Sequence, residues 1–150
     1  MTNLSSPVLY RERTLPSLGF YASASFIPIA VFLIALPFSV EVGLFAAAGS
    51  IPTILAITWF LSPLIELTSE TLRVGRAQIE TEFLGQAIEI SGPNAFSERG
   101  PLLDTRAYTK FQVGVKQLVK IEIQDEQDPT PYWLVATRNP EILAALINKL

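Results

Sequence analysis

The side chains with chemistry to offer are few. The chain has no histidine and no cysteine, which removes the commonest general base, the strongest nucleophile and most zinc ligation. Carboxylates remain. Asp125, Glu126 and Asp128 stand close together in "QDEQDPTP" and could supply oxygens to Mg²⁺ or Ca²⁺, but the segment lacks the glycine and distal glutamate of a calcium loop. A solvated turn is the simpler reading, and no cofactor is expected. "LRVGRA" (Leu72 to Ala77) has one glycine and does not match a phosphate-binding fingerprint. Three other residues are of the types that dominate protein contacts: Tyr132, Trp133 and Arg138. In a strand the two aromatics point to opposite faces, one to fill core and the other a candidate contact, and packing of both in core or hairpin is the preferred reading. Arg138 either pairs with Glu141 or meets a partner.

Glu41 is the only charged residue between Thr14 and Ile65. It divides 27 uncharged residues after Arg13 from 24 before Glu66, where about 20 suffice to cross a bilayer as a helix. Leu, Ile, Val and Phe number 12 from Leu18 to Val40, an upper-bound insertion gain of roughly 4 to 7 kcal/mol. Pro28 is expected to kink this first span, as lipid-embedded helices tolerate. The chain could reverse at "FSVEVG" (Phe38 to Gly43) or at "GSIP" (Gly49 to Pro52). A carboxylate is costly at mid-bilayer and cheap at the headgroups, so Glu41 favours the first choice as a lip residue. A proton-relay or ion-site role is its sharper alternative. Small residues at Gly19/Ser23 and Gly43/Ala47 have a spacing that lets helices approach. A cleaved signal peptide is the rival account of the first run, but that run is far longer than a 7 to 15 residue h-region and a second follows it. Two retained spans are preferred.

Arginines flank this block: Arg11 and Arg13 before it, Arg73 and Arg76 after it, with no Lys or Arg between the spans. The positive-inside rule then puts both ends in the cytoplasm, and the four arginines become candidate membrane-surface contacts. The expected organisation is a cytoplasmic N-terminal tail (1–17), a two-helix transmembrane hairpin (18–65) and a cytoplasmic domain (66–150).

The last part alternates with period two. Leu72 and Val74 oppose Arg73; Ala77 and Ile79 oppose Arg76, Gln78 and Glu80; Ile88 and Ile90 are read as inward; Val119, Ile121 and Ile123 oppose Lys120, Glu122 and Gln124. Another strand is expected within "AYTKFQVGV" (Ala107 to Val115), and Pro93 to Gly100 brackets a helical turn. "QDEQDPTP" turns the chain into a hairpin of Val119–Gln124 with Tyr132–Thr137. Asn139 is read as the cap of a final helix with Pro140 first and Glu141 at the positive end of its dipole. Ile142, Leu143, Leu146, Ile147 and Leu150 then form its apolar stripe. The fold class is therefore a membrane α-helical hairpin plus an α+β domain: six or seven short strands in a small, bent antiparallel sheet or partly open barrel, closed by a C-terminal helix.

That element order resembles bacterial pleckstrin-homology-like (PH-like) domains. "YRERTLP" (Tyr10 to Pro16), "LRVGRA" and "DPTPYWLVATRNPEILAAL" (Asp128 to Leu146) further resemble three blocks of an uncharacterised bacterial family of two-span membrane proteins, domain of unknown function 3093. The resemblance implies a protein of the bacterial inner membrane with a cytoplasmic domain, and brings no activity.

Net charge of −3 argues against nucleic acid, which needs a basic face of some size. The partners expected are the lipid bilayer and a protein or a second copy of the chain. A non-enzymatic interaction or scaffold module is the favoured reading. The alternative is a small membrane-associated enzyme or transporter subunit using carboxylates such as Glu41.

Overall fold

A computed structural model describes residues 7–150. The chain divides into two compact units: Leu15–Ser62, and the described residues up to Thr14 together with Pro63–Leu150.

The first unit is a helical hairpin. Its first arm, Leu18–Ala35, is 18 residues long and breaks at Ser25 into α1 (Leu18–Ala24) and α2 (Phe26–Ala35). Pro28 explains the break, because it has no N–H to bond the carbonyl four residues back, that of Ala24, and its ring crowds that carbonyl. Pro37 follows the end of α2, and the chain reverses at residues 36–39. Of the two turning points left open by the sequence, the segment at Phe38 is the one used. Ser39 then starts α3 (Val40–Leu61), its Oγ accepting from Val42 N at 3.1 Å, with Glu41 in the first turn. At that position a carboxylate also meets the positive end of the helix dipole. Pro52 lies inside α3 without ending it. The arms meet where Gly43 leaves room: a Cβ there would lie 2.9 Å from the Phe32 ring. Nearer the other end, the Tyr21 hydroxyl donates to Thr58 Oγ1 at 3.5 Å.

The second unit is α+β and discontinuous in sequence, with the helical hairpin inserted between its first two strands. β1 (Val8–Arg13) pairs antiparallel with β2 (Leu64–Thr68), followed by β3 (Thr71–Val74) and β4 (Ala77–Glu80) in the order β1-β2-β3-β4. Two expected boundaries therefore move. Residues 8–13 are an edge strand and not a separate tail, and Leu64 and Ile65 belong to the sheet. Both were hidden for a physical reason: "YRER" is short and charged, as suits an exposed edge, and "PLI" continues the apolar run of α3. Gly75, with φ +62°, makes the two-residue turn between β3 and β4, a positive φ at the first central position that glycine adopts without strain.

A second sheet has the order β5-β7-β8-β6, from β5 (Leu84–Ile90), β6 (Tyr108–Lys110), β7 (Leu118–Ile123) and β8 (Tyr132–Ala136). β6 runs parallel to β8, so the sheet is mixed, against the all-antiparallel expectation. Ile65, Leu67, Leu72 and Val74 of the first sheet share one core with Ala87, Val119, Ile121, Trp133 and Val135 of the second. Tyr108 ties the sheets together by donating its hydroxyl to Val74 O at 3.0 Å and packing its ring 4.8 Å from that of Trp133. α5 (Pro140–Ile147) closes this core with Leu143, Ala144 and Ile147. The buried stripe is narrower than expected, for Ile142 and Leu150 are exposed. Nor does the Asn139 side chain cap the helix; the local bond there runs from Asn139 N to Thr137 Oγ1 at 3.2 Å.

The outer face of the second sheet carries a smaller core in which Ile90, Leu118, Tyr132, Leu134 and Ala136 pack with Val115 and with Ala95 of α4 (Pro93–Arg99). β8 is consequently buried on both faces along its whole length, which is why "YWLVA" is an unbroken apolar run. A register shift between Leu84 and Ala87 puts Ala87 in the inner core. Ile88 and Ile90, read as inward, face the other way: Ile90 lies in the outer core and Ile88 is exposed.

Candidate functional site

Two places in the α+β unit concentrate polar side chains. The first joins β1 to the junction of β8 and α5. Strand alternation turns Tyr10 and Glu12 to the same side of β1, and from there Glu12 reaches the other end of the sequence. Its Oε2 accepts from the hydroxyls of Tyr10 and Thr137, and its Oε1 accepts from Arg138 N at 3.0 Å. Thr137 is fully buried. Burial raises the pKa of the Tyr10 phenol, and the hydrogen bond to Glu12 raises it further, so the phenol remains a donor at neutral pH. A carboxylate holding three donors forms charge-assisted bonds that fix geometry. Its lone pairs are committed to the fold and are poorly placed to take a substrate proton. The junction thus anchors the backbone from which the exposed Arg138 projects.

The second place is an open hollow of about 490 Å³ on the outer face of the second sheet, between β5, β7 and α4. Ile88 and Leu102 give it an apolar lining, while Glu89, Asn94, Glu122 and the Lys120–Glu98 pair supply polar groups. Lys120 Nζ lies 3.0 Å from Glu98 Oε2 and 4.3 Å from the centre of the Tyr132 ring, so a carboxylate and an aromatic face already engage its ammonium. An open, mixed lining of this kind suits recognition; chemistry calls for convergent groups shielded from water.

The residues singled out in the sequence fall as follows. Tyr132 and Trp133 do point to opposite faces of β8, but both are buried, one in each core. Packing of both is the preferred reading of the sequence, and neither is left as a contact surface because the second sheet is covered on both sides. The Tyr132 hydroxyl accepts from Asp104 N at 2.8 Å. Arg11 faces outward and lies 3.4 Å from Glu66, its cross-strand neighbour; Glu66 in turn stands opposite the exposed Arg73. Arg76 is exposed in the Gly75 turn, and Arg13 ends β1 beside Leu64. The structure thus brings Arg11 and Arg73 onto one face of the first sheet and Arg138 onto the Glu12 junction. Glu41 belongs to the hairpin unit. Asp125 and Asp128 form turns, their carboxylates accepting from Gln127 N at 2.8 Å and Thr130 N at 2.9 Å. Among the described residues no three carboxylates converge on a metal-sized site.

Sequence reasoning missed Glu12 and Thr137 altogether. They lie 125 residues apart, and neither carries a local pattern pointing to the other. The only signal is that each falls within one of the blocks that carry the family resemblance. No curated protein and no solved structure matches the chain. A family model does, over residues 9–147, nearly the whole of it, and the chain belongs to the family described as Protein of unknown function (DUF3093).

Proposed function

We propose that the chain is a two-pass protein of a bacterial inner membrane, with both ends in the cytoplasm, whose α+β unit is a PH-like docking module holding a protein partner or a second copy at the membrane face. The observation that carries this reading is the pairing of β1 with β2. These strands flank the apolar hairpin in sequence yet share one sheet, so both flanks must lie in one compartment, as an even number of spans requires. The arms support it further. They are 18 and 22 residues long, with only 6% of each span's most apolar stretch buried, a surface that suits lipid and is costly in water. Arg11, Arg13, Arg73 and Arg76 favour the cytoplasm for the shared compartment and are proposed to face the headgroups.

The PH-like assignment is supported by two short-stranded sheets around one core with a final helix packed against them. The docking role is supported by the absence of histidine and cysteine, by the commitment of Glu12 to the fold, and by an open recognition hollow. Arg138, exposed on an anchored backbone, is the proposed partner contact that remains accessible. Glu41 needs no transport role at the start of α3, where the helix dipole favours a carboxylate.

Because the chain lacks cysteine, single cysteines report topology cleanly. In intact cells a membrane-impermeant maleimide should label Glu41→Cys and leave Gln127→Cys unlabelled until the membrane is opened. Labelling of Gln127→Cys from outside overturns the topology. For docking, Arg138→Ala should deplete the species that co-purifies with the folded wild-type chain. An unchanged profile removes Arg138 from the contact surface.

A further inference from the structure

Net acidity conceals a segregated charge. From Arg99 to Lys120 the chain holds Arg99, Arg106, Lys110, Lys116 and Lys120 against Asp104 alone, five positive minus one negative or +4, within a chain of −3. Arg106 is tied to Asp104 at 2.9 Å and Lys120 to Glu98 at 3.0 Å. Arg99 and Lys116 are placed differently. They line one hollow of about 260 Å³ with Gly92, Ala95 and Phe96.

Arg99 is held there from two sides. Its Nη2 donates to Val115 O, and its guanidinium sits 5.2 Å over the Phe111 ring. Its Nε is buried without a hydrogen-bond partner, and Lys116 is exposed. The apolar residues around these cations stand out into solvent. Phe96, in the same hollow, is 79% exposed, and Val113, between the Phe111 and Val115 that hold Arg99, is 61% exposed at the tip of the β6–β7 turn. That turn is closed by Val115 N bonding Gln112 O at 3.1 Å and has Gly114 at φ +75°, a conformation that strains any residue with a side chain.

Protruding phenylalanine and valine with cations set behind them is the composition of an interfacial membrane contact. The apolar tips enter the acyl boundary, and the basic groups stay level with the phosphates. The complementary charge is that of an anionic leaflet. A leaflet is also within reach, since only Ser62 and Pro63 separate the end of α3 from the start of β2. We propose that the face formed by Phe96, Arg99, Val113 and Lys116 is a docking surface for anionic phospholipid. Arg99 and Lys116 attract the phosphates, while Phe96 and Val113 insert between headgroups. This inference rests on the membrane reading above.

The test uses the full chain with Val113→Cys, its single cysteine labelled with a polarity-sensitive fluorophore, in nanodiscs of phosphatidylcholine alone or mixed with phosphatidylglycerol. The expected result is a blue shift, with quenching by spin-labelled acyl chains, in the mixed discs only. Lys116→Glu should abolish both while leaving the Arg99–Val115 bond untouched, and Phe96→Ser should weaken the quenching. Identical emission in the two kinds of disc, or a shift that survives Lys116→Glu, overturns the proposal. So does a shift produced in phosphatidylcholine discs by soluble glycerol phosphate, which would mark a free phosphate ester as the ligand. Failure of the chain to enter discs at all sinks the membrane reading and this inference with it, whereas entry without a lipid-dependent shift sinks only the docking surface.

Discussion

The side-chain amide of Asn148, just beyond α5, grips the backbone of Ala87 at both ends: Nδ2 donates to Ala87 O, and Oδ1 accepts from Ala87 N, each at 2.8 Å. Ala87 lies on β5, an edge strand paired on its other side with β7. The amide therefore does at one position what a neighbouring strand would do, and it blunts an edge that could otherwise recruit another chain. Two partly exposed hydrogen bonds are worth about 1 to 2 kcal/mol together. Asn148→Ala should lower stability by that amount, and Asn148→Asp by more, because it sets a carboxylate against the Ala87 carbonyl. Denaturant titration following Trp133 fluorescence, in a Trp59→Phe background, measures both. Unchanged midpoints would show that the edge is held by α5 packing alone.

Tyr10 makes the Glu12 junction sensitive to alkali. Its pKa is raised in the folded chain, chiefly by burial and then by Glu12. A raised folded-state pKa means the contribution is fully present below the unfolded value, about 10 for tyrosine. It is lost as pH climbs through the folded value, because the unfolded phenol ionises first. The stability gap between wild type and Tyr10→Phe should be constant from pH 7 to about 9 and shrink above about 10. A gap that widened in alkali would mean that the phenolate, not the phenol, is favoured in the fold.

How legible this architecture was depended on whether the pattern was local. The two long apolar helices could be read because lack of charge over 27 and 24 residues is a contiguous signal, and the position of Glu41 correctly favoured the turn near Phe38. The β7–β8 hairpin was equally plain, with Val119 and Ile121 inward as the alternation requires. β1 was not legible: its partner lies beyond the whole hairpin, and a charged edge strand has no apolar periodicity. The aromatic pair was only half legible for a related reason. Alternation states that Tyr132 and Trp133 face apart, but whether the far side is wet depends on α4, which reaches β8 only through the tertiary fold. The Glu12 junction and the hollow on the second sheet are likewise products of long-range pairing. No spacing rule links Glu12 to Thr137 or Glu98 to Lys120.

In the hairpin unit, Gly43 and Phe32 set how closely the arms approach. A Cβ at Gly43 would fall 2.9 Å from the Phe32 ring and 3.2 Å from Phe32 O, distances at which something must move. Gly43→Ile should therefore separate the arms, while Gly43→Ala combined with Phe32→Ala should restore most of the approach, the contact with Phe32 O alone remaining. Spin labels on Tyr21→Cys and Thr58→Cys, a pair whose native hydroxyl oxygens lie 3.5 Å apart, read the separation of the arms. The distance between the labels should grow with Gly43→Ile and return toward the native value in the double-alanine chain. Equal distances in all three would mean that the arms are held by contacts nearer Thr58.

The face of α5 that closes the core makes the sharpest test of the domain itself. Leu143 is fully buried with Ile65, Leu67 and Trp133 in the shared core, whereas Ile142, its neighbour in sequence, is 52% exposed. Truncating a buried leucine removes its transfer free energy and leaves a cavity, so Leu143→Ala should cost about 2 to 5 kcal/mol. Ile142→Ala removes side chain that stays largely in water and should change stability by about 0.5 kcal/mol or less. Leu146, half-buried against the same core, should fall between the two. The order Leu143, Leu146, Ile142 identifies which side of the helix is inside, independently of the size of any one effect. Equal losses at Leu143 and Ile142 would mean that both sides of α5 are covered in the working protein, with a partner or a second copy seated on the side that carries Ile142.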